Sequence, residues 1–112
     1  MKYKHYSPDA KVVVVNGTRM KNSKLIKEII LSEKNISPAE NIMAIGFQKF
    51  GSDMDCICKD PEELARIVFD KFREADERRF NLIIVEGVSN KGIGLAVMNR
   101  IKKAATNVIN NR

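Results

Sequence analysis

The sequence is poor in the residue types from which many active sites and metal sites are built. It has one histidine, two cysteines and no tryptophan among 112 residues. The single histidine, His5, lies near the beginning of the chain, so a Ser/His/Asp or Cys/His arrangement cannot be assembled in the body of the domain. Cys56 and Cys58 have no second cysteine or histidine cluster, which argues against a zinc site. The sequence therefore predicts no catalytic residue, no metal ligand and no cofactor of its own.

Long apolar runs are also missing. No run approaches the roughly 20 residues that a membrane span requires, and the first eight residues lack the apolar stretch of a signal peptide. Cys56 and Cys58 are two positions apart in a predicted strand, so their side chains should point to the same face, where a disulfide would be strained. We therefore expect reduced thiols, a cytoplasmic location and no membrane partner.

The charge is uneven along the chain. The net charge is +6, and residues 1–52 carry nine Lys/Arg against four Asp/Glu, whereas residues 53–112 carry eleven against ten. A basic surface of this kind can meet nucleic acid or an acidic partner. An ordinary solvated, lysine-rich surface is the alternative, and the absence of aromatic residues among the lysines of the first helix weakens the nucleic-acid hypothesis.

The first half of the chain begins with an arm, residues 1–10, in which two tyrosines and His5 stand close together. Residues 12–15 are continuously apolar and β-branched, as in a strand covered on both faces, and the Asn-Gly pair at 16–17 should turn the chain. The spacing of Leu25, Ile26, Ile29 and Ile30 predicts a helix over 22–34, capped by Asn22 or Ser23.

The second half repeats this alternation. We expect strands over 42–47 and 82–85, and a short strand or extended segment over 55–58. Asp60, Pro61 and Glu63 have the spacing of a capping box with proline at the first helical position, so a helix should start there. The last helix is predicted over 92–108, and residues 110–112 should fray.

The predicted order of elements is β-α-β-(β)-α-β-α, in a single domain. Such alternation indicates an α/β fold, a three-layer Rossmann-like domain with a mostly parallel sheet and about three helices. We therefore divide the chain into an arm at 1–10 and a Rossmann-like domain at 11–112.

The segment 86–105 is the most informative stretch. It follows a buried strand, opens with a glycine-rich turn and continues into an amphipathic helix, and ligands bind at this strand-to-helix end in parallel sheets. Backbone N–H groups there favour anions, but neither a Walker-type loop nor a dinucleotide fingerprint fits the glycine spacing. A tight turn, with Gly94 allowing close packing of helix and sheet, remains the alternative. The candidate anion or ligand residues are Gly87, Ser89, Asn90, Lys91, Gly92 and Gly94. Glu86 is a weaker candidate because no second carboxylate or base accompanies it.

Two segments resemble one family closely. Residues 1–8, Met-Lys-Tyr-Lys-His-Tyr-Ser-Pro, are similar to the interdomain linker of two-domain L-threonylcarbamoyladenylate synthases, whose catalytic domain is YrdC-like. Residues 92–105 resemble the end of the C-terminal domain of these enzymes, and residues 65–77 resemble its middle helix.

The resemblance implies that this chain is the smaller, C-terminal domain of such an enzyme, separated from its catalytic domain. The family's catalytic domain joins ATP, threonine and bicarbonate into threonylcarbamoyl-AMP, which serves the threonylcarbamoyladenosine modification of tRNA. Its ATP and magnesium sites would lie outside this chain, and its linker gates the catalytic cleft. The residues that match the linker, and that would carry the gating, are Lys2, Tyr3, Lys4, His5 and Tyr6.

Three functions are therefore open. The first is a regulatory domain, itself not a catalyst, whose partner is a YrdC-like catalytic domain. The second is a small-ligand or nucleotide-binding module that uses the turn 87–94. The third is binding to tRNA, or to tRNA-modification proteins, through the basic N-terminal half.

Overall fold

The computed structural model describes residues 8–89 and 91–111, which form a five-stranded sheet with three helices. The strands are β1 (Lys11–Gly17), β2 (Ile42–Gly46), β3 (Met54–Ile57), β4 (Leu82–Glu86) and β5 (Asn107–Asn111), and the helices are α1 (Arg19–Ile36), α2 (Pro61–Glu77) and α3 (Ile93–Ala104). The order across the sheet is β3-β2-β4-β1-β5, and every neighbouring pair is parallel. The predicted three-layer Rossmann-like fold is confirmed.

Alternation along the strands divides the core into two layers. Even positions of β1, such as Val12 and Val14, pack with α2 and α3, whereas Val15 packs with Ile26 and Ile30 of α1. Helix α1 therefore covers one face of the sheet, and the other two helices cover the opposite face. Both faces are buried, which explains the continuously apolar strands.

Two helix starts show how the local sequence sets the boundaries. At α2 the side chain of Asp60 accepts a hydrogen bond from the Glu63 N–H at 2.8 Å, and Pro61 is the first helical residue, as predicted. The prediction for α1 was wrong by three residues, because Thr18 caps it by accepting from the Lys21 N–H. Asn22, one of the two predicted caps, is instead a buried residue inside the helix.

The C-terminal end of the chain corrects the predicted final helix over 92–108. Helix α3 ends at Ala104, and the chain then forms β5 against the free edge of β1, with the Thr106 N–H donating to the Val12 carbonyl at 2.7 Å. Val108 fits helical spacing but lies in this strand. The expected fraying at Asn110 and Asn111 was wrong, because both pair with β1, whose backbone groups need partners.

The predicted turn at Asn16 and Gly17 is likewise replaced by a continuation of β1. A Cβ atom at Gly17 would lie 1.9 Å from the Asn111 carbonyl oxygen, so only glycine permits β5 to come this close.

The two cysteines are free and buried on the same face of the sheet, as expected. Burial raises the pKa of the Cys58 thiol to about 11, which makes it a structural rather than a reactive group. In the described part of the chain no helix combines the length and apolar character needed to cross a membrane.

Candidate functional site

The candidate site lies where three parallel strands end at the same edge of the sheet. The carboxyl ends of β1, β2 and β4 are at Gly17, Gly46 and Glu86. After β1 the chain moves to α1 on one face, and after the neighbouring β4 it moves to α3 on the other face. Divergence of two such connections opens the crevice in which parallel α/β sheets bind ligands.

Glu86 is a buried acidic residue at this edge. It is 1% exposed, and its Oε1 atom accepts a hydrogen bond from the Phe47 N–H at 2.9 Å. Its Oε2 atom accepts from Nε2 of Gln48 at 3.2 Å. Among the described residues no Lys or Arg forms an ion pair with Glu86. A buried carboxyl group normally has a cationic partner, because burial of a lone charge costs free energy.

Arg19 is a cationic residue in the lining of the same cleft. Its guanidinium lies 5.3 Å from the centre of the Phe47 ring, a cation–π contact. Nε2 of Gln48 also reaches the Arg19 carbonyl oxygen at 3.2 Å. Phe47 and Gln48 thus connect the first turn of α1 to the carboxyl group of Glu86.

Arg19, Phe47 and Glu86 line a cleft of about 190 Å³, whose lining also includes Gly17, Asn22 and Ser89. Asn22 is 1% exposed and donates from Nδ2 to the Gly17 carbonyl at 3.1 Å, but its Oδ1 atom has no partner. Buried polar atoms without partners are uncommon in folded proteins. The cleft therefore combines a buried acidic group, a buried amide and a cation at its rim.

Glycines let the strands meet closely at this edge. A Cβ atom on Gly46 would lie 2.6 Å from Oε1 of Glu86, and one on Gly87 would lie 2.0 Å from Oδ1 of Asn16. Either contact would displace a polar side chain, so the geometry of the cleft depends on both glycines.

The predicted anion residues are only partly brought together with this cleft. Gly87 and Ser89 line it. Lys91 and Gly92 lie in the exposed turn before α3, Gly94 is buried in the first turn of α3, and Asn90 lies outside the described residues. Gly92 has φ of +59°, which favours glycine. A Cβ atom on Gly94 would lie 2.0 Å from the Ser89 carbonyl oxygen, so this glycine closes the turn itself. Anion binding by these residues stays a prediction.

The predicted gating residues, Lys2, Tyr3, Lys4, His5 and Tyr6, lie outside the described residues. The end of the arm is described, and it sits at the opposite, amino-terminal edge of the sheet. Both oxygens of the Asp76 carboxylate accept from the Asp9 N–H, at 3.0 and 3.2 Å, and Oδ1 also accepts from the Ala10 N–H at 3.3 Å. Asp76 lies near the end of α2, so this helix anchors the point where the arm joins the domain.

An open groove of about 1050 Å³ surrounds this anchor, and its lining includes Asp9, Lys11, Glu33, Glu40, Asp76 and Arg79. Partial burial and the neighbouring Glu33 raise the pKa of the Glu40 carboxyl. No group of three or more His, Cys, Asp or Glu residues able to hold a metal ion occurs in the described ranges 8–89 and 91–111.

Sequence reasoning missed most of the cleft. Asn22 was assigned to a helix cap, and Arg19, Phe47 and Gln48 were not singled out. One signal was available: a glycine lies within two residues of the end of each of three predicted strands, and parallel strands bring their carboxyl ends to one edge. The cation–π contact and the hydrogen bonds of Gln48 depend on the loop after β2, for which the sequence has no comparable pattern.

A comparison with protein families matches residues 1–106 to the model described as the threonylcarbamoyl-AMP synthase C-terminal domain. The chain is 41% identical over 106 residues to the threonylcarbamoyl-AMP synthase of Pyrococcus abyssi, covering 94% of this chain and 31% of the relative. It is 30% identical over 108 residues to the corresponding synthase of Bacillus subtilis, again covering 94% of this chain and 31% of the relative. The chain thus spans about a third of the length of these relatives.

Solved structures agree with this match. Sua5 of P. abyssi, crystallised with L-threonine, superposes with a TM-score of 0.89 at 38% identity, covering all of this chain and 33% of that protein. A C-terminal Sua5 domain from Pyrococcus horikoshii superposes with a TM-score of 0.76 at 30% identity, covering 93% of this chain and 99% of that domain. A P. abyssi Sua5 variant, in which a neighbouring histidine and tyrosine are both alanine, gives a TM-score of 0.84 at 36% identity, covering 92% of this chain and 30% of that protein.

Proposed function

The chain belongs to the family of threonylcarbamoyl-AMP synthase C-terminal domains, and from this premise we propose that it acts on a YrdC-like catalytic domain through residues 2–6 of its arm. In this proposal the catalytic domain joins ATP, threonine and bicarbonate into threonylcarbamoyl-AMP for the modification of tRNA. The contacts to ATP, threonine and magnesium belong to that domain. The chain described here regulates access to the catalytic cleft.

The extent of the family match carries this proposal. The match begins at residue 1, so the arm and the α/β domain are parts of one family unit. A free polar tail would have no reason to belong to such a unit. The arm also concentrates three ring-bearing side chains, Tyr3, His5 and Tyr6, in four positions, and such side chains bury much apolar area when they find a surface.

The anchor at Asp76 supports a directed arm. Because the backbone N–H groups of Asp9 and Ala10 donate to this carboxylate, the arm leaves the domain from a fixed position on α2. Fixing the point at which an arm leaves its domain raises the effective concentration of its other end near a tethered partner.

The histidine and tyrosine of the arm are the first residues to test. The only histidine of this chain, His5, is followed directly by Tyr6, and a neighbouring His–Tyr pair was replaced in the P. abyssi variant. We propose that His5 and Tyr6 are the side chains of the arm that contact the catalytic cleft.

The experiment joins this chain to the catalytic domain of the P. abyssi relative, in place of that protein's own C-terminal part, and measures pyrophosphate release from ATP, threonine and bicarbonate. The double variant His5→Ala/Tyr6→Ala should change the rate by about tenfold or more, as expected when a positioning contact of 1.4 kcal/mol or more is lost. The matched control, Arg66→Ala/Asn99→Ala, alters two exposed positions on α2 and α3 and should retain the parent rate. Equal rates for all three proteins would refute gating by His5 and Tyr6.

Binding of tRNA through the basic N-terminal half stays a prediction. It requires an affinity that falls steeply as salt is raised, because each neutralised phosphate releases counterions.

A further inference from the structure

We propose that the cleft at the carboxyl edge of the sheet binds a small zwitterion, an α-amino acid, whose ammonium group pairs with Glu86 and whose carboxylate pairs with Arg19. This inference concerns a second site, on the opposite edge of the sheet from the arm, and it does not depend on gating.

The buried carboxylate of Glu86, at the floor of the cleft, can accept further hydrogen bonds from a cationic group. A carboxylate offers about four lone-pair directions, and Glu86 uses two of them, on the Phe47 N–H and on Nε2 of Gln48. In the described part of the chain no cationic side chain pairs with it, although it is 1% exposed. An ammonium group would supply both the missing charge and the remaining hydrogen bonds.

The guanidinium of Arg19, at the rim of the cleft, can bind an anion. Arg19 has five N–H donors, and its guanidinium takes part in no ion pair within residues 8–89 and 91–111. Its position is set by the ring of Phe47, 5.3 Å away, and by the hydrogen bond from Gln48 to its backbone. A planar guanidinium suits a carboxylate because it can donate two parallel hydrogen bonds.

Phe47 and Gln48 each contact both charged residues of the cleft, Glu86 and Arg19. Phe47 donates its N–H to Glu86 and lies under Arg19, while Gln48 contacts the carboxyl group of one and the backbone of the other. The opposite charges are therefore held as a unit and do not pair with each other. This is the arrangement expected of a receptor for a molecule that carries both signs.

Size and charge argue against the larger anionic ligands. The cleft measures about 190 Å³, below the roughly 300–1,000 Å³ of pockets for drug-sized ligands. A nucleotide would also bring phosphate groups near the buried Glu86 carboxylate, which is unfavourable for like charges. A small amino acid avoids both penalties. Asn22, whose Oδ1 atom is buried without a partner, adds a polar group to the same cleft.

The test is a titration of the whole chain with glycine, L-serine and L-threonine. Isothermal titration calorimetry and thermal unfolding measure the binding. At least one of them should bind saturably, and at ten times Kd it should raise the unfolding midpoint by about 5 °C. Ethanolamine and acetate, which each carry one of the two charges, should bind at least about tenfold more weakly.

Two variants locate the binding. Glu86→Gln keeps an acceptor for the Phe47 N–H but removes the charge, and Arg19→Ala removes an exposed side chain outside the core; each should weaken binding at least about tenfold. Their controls, Glu62→Gln and Arg66→Ala, make the same changes at exposed positions of α2 and should bind like the parent chain.

Three outcomes would overturn the proposal. The first is that none of the three amino acids binds at concentrations up to about 20 mM. A Kd of about 20 mM corresponds to a binding free energy of about −2 kcal/mol. The second is that both single variants, Arg19→Ala and Glu86→Gln, bind the amino acid as tightly as the parent chain does. The third is a rise in the unfolding midpoint with ATP or phosphate but with none of the three amino acids. That result would assign ligand binding to the glycine-rich turn before α3.

Discussion

The two edges of the sheet use carboxylates in opposite ways. At the amino-terminal edge Asp76 holds the backbone N–H groups of Asp9 and Ala10 in an open, solvated groove. At the carboxyl edge Glu86 holds the Phe47 N–H inside the protein, at 1% exposure. Water can replace the exposed hydrogen bonds of the Asp9 N–H but not those of Glu86. The comparison separates an edge that anchors the end of the arm from an edge that encloses a small polar cleft.

Removal of the buried carboxylate should have the largest effect on stability. In Glu86→Ala the Phe47 N–H loses its acceptor and a cavity remains, so we expect a loss of about 3 kcal/mol. Denaturant unfolding followed by circular dichroism measures this loss. A change below about 0.5 kcal/mol would mean that water replaces Glu86 freely, and the proposed difference between the edges would disappear.

Substitution of the glycine beside Glu86 should have the next largest effect. A Cβ atom on Gly46 would lie 2.6 Å from Oε1 of Glu86 and 2.9 Å from the Phe50 ring, so Gly46→Ala should cost about 1–3 kcal/mol. Gly92→Ala tests backbone strain without crowding, because no atom lies within 4 Å of its Cβ position, while its φ of +59° with ψ of −132° favours glycine and opposes alanine by about 1–3 kcal/mol. A loss below about 0.5 kcal/mol in Gly46→Ala would show that crowding at Glu86 has no effect on stability.

A third carboxylate, that of Asp55, should make the unfolding free energy depend on pH. Burial alone would raise the pKa of this carboxyl, but the Ser52 hydroxyl and the backbone N–H groups of Gly51, Phe50 and Ser52 outweigh burial and lower it. A lowered pKa in the folded state adds stability above the unfolded pKa of about 3.9, and that stability is lost as the pH falls through the folded value. The parent chain should therefore lose unfolding free energy below about pH 4 more steeply than Asp55→Asn. Parallel acid limbs in urea titrations would contradict this assignment.

The smallest effect on stability should follow from changing Asp76. Its hydrogen bonds from the Asp9 N–H are exposed and the one from the Ala10 N–H is part-buried, and Asn keeps an oxygen that can accept them, so Asp76→Asn should alter the unfolding free energy by less than about 1 kcal/mol. If the arm acts from this anchor, the same variant should nevertheless reduce the effect of this chain on a catalytic domain. A large loss of stability, measured by denaturant unfolding, would instead make Asp76 a structural residue of the fold.

The sequence predicted the fold well where periodicity and capping residues are strong. The buried strands β1, β2 and β4 and the start of α2 at Asp60 and Pro61 follow from local patterns. It failed at β5, because Val108 satisfies the spacing of a helix, and only the unpaired edge of β1 decides in favour of a strand. Strand pairing joins residues about 90 positions apart, and no local pattern records it.

The candidate cleft shows the same limit. Glu86 could be noticed because a charged residue ends an apolar strand. Its partners Phe47 and Gln48 come from a loop nearly 40 residues earlier, and they meet Glu86 only because β2 and β4 are neighbours in the sheet. Residues 2–6 of the arm, in contrast, were singled out by resemblance, and their role is a proposal that needs the second domain for its test.

The most direct measurement of that role adds this chain to a separate catalytic domain of the family and follows pyrophosphate release from ATP, threonine and bicarbonate. Three proteins are compared: residues 1–112, residues 9–112, and residues 1–112 with Glu86→Gln. Residues 9–112 keep both N–H groups that bind Asp76 and all of the buried core, so they should fold. We predict that the first and third proteins change the rate equally and that residues 9–112 have no effect. An equal effect of residues 9–112 would contradict the arm as the acting element.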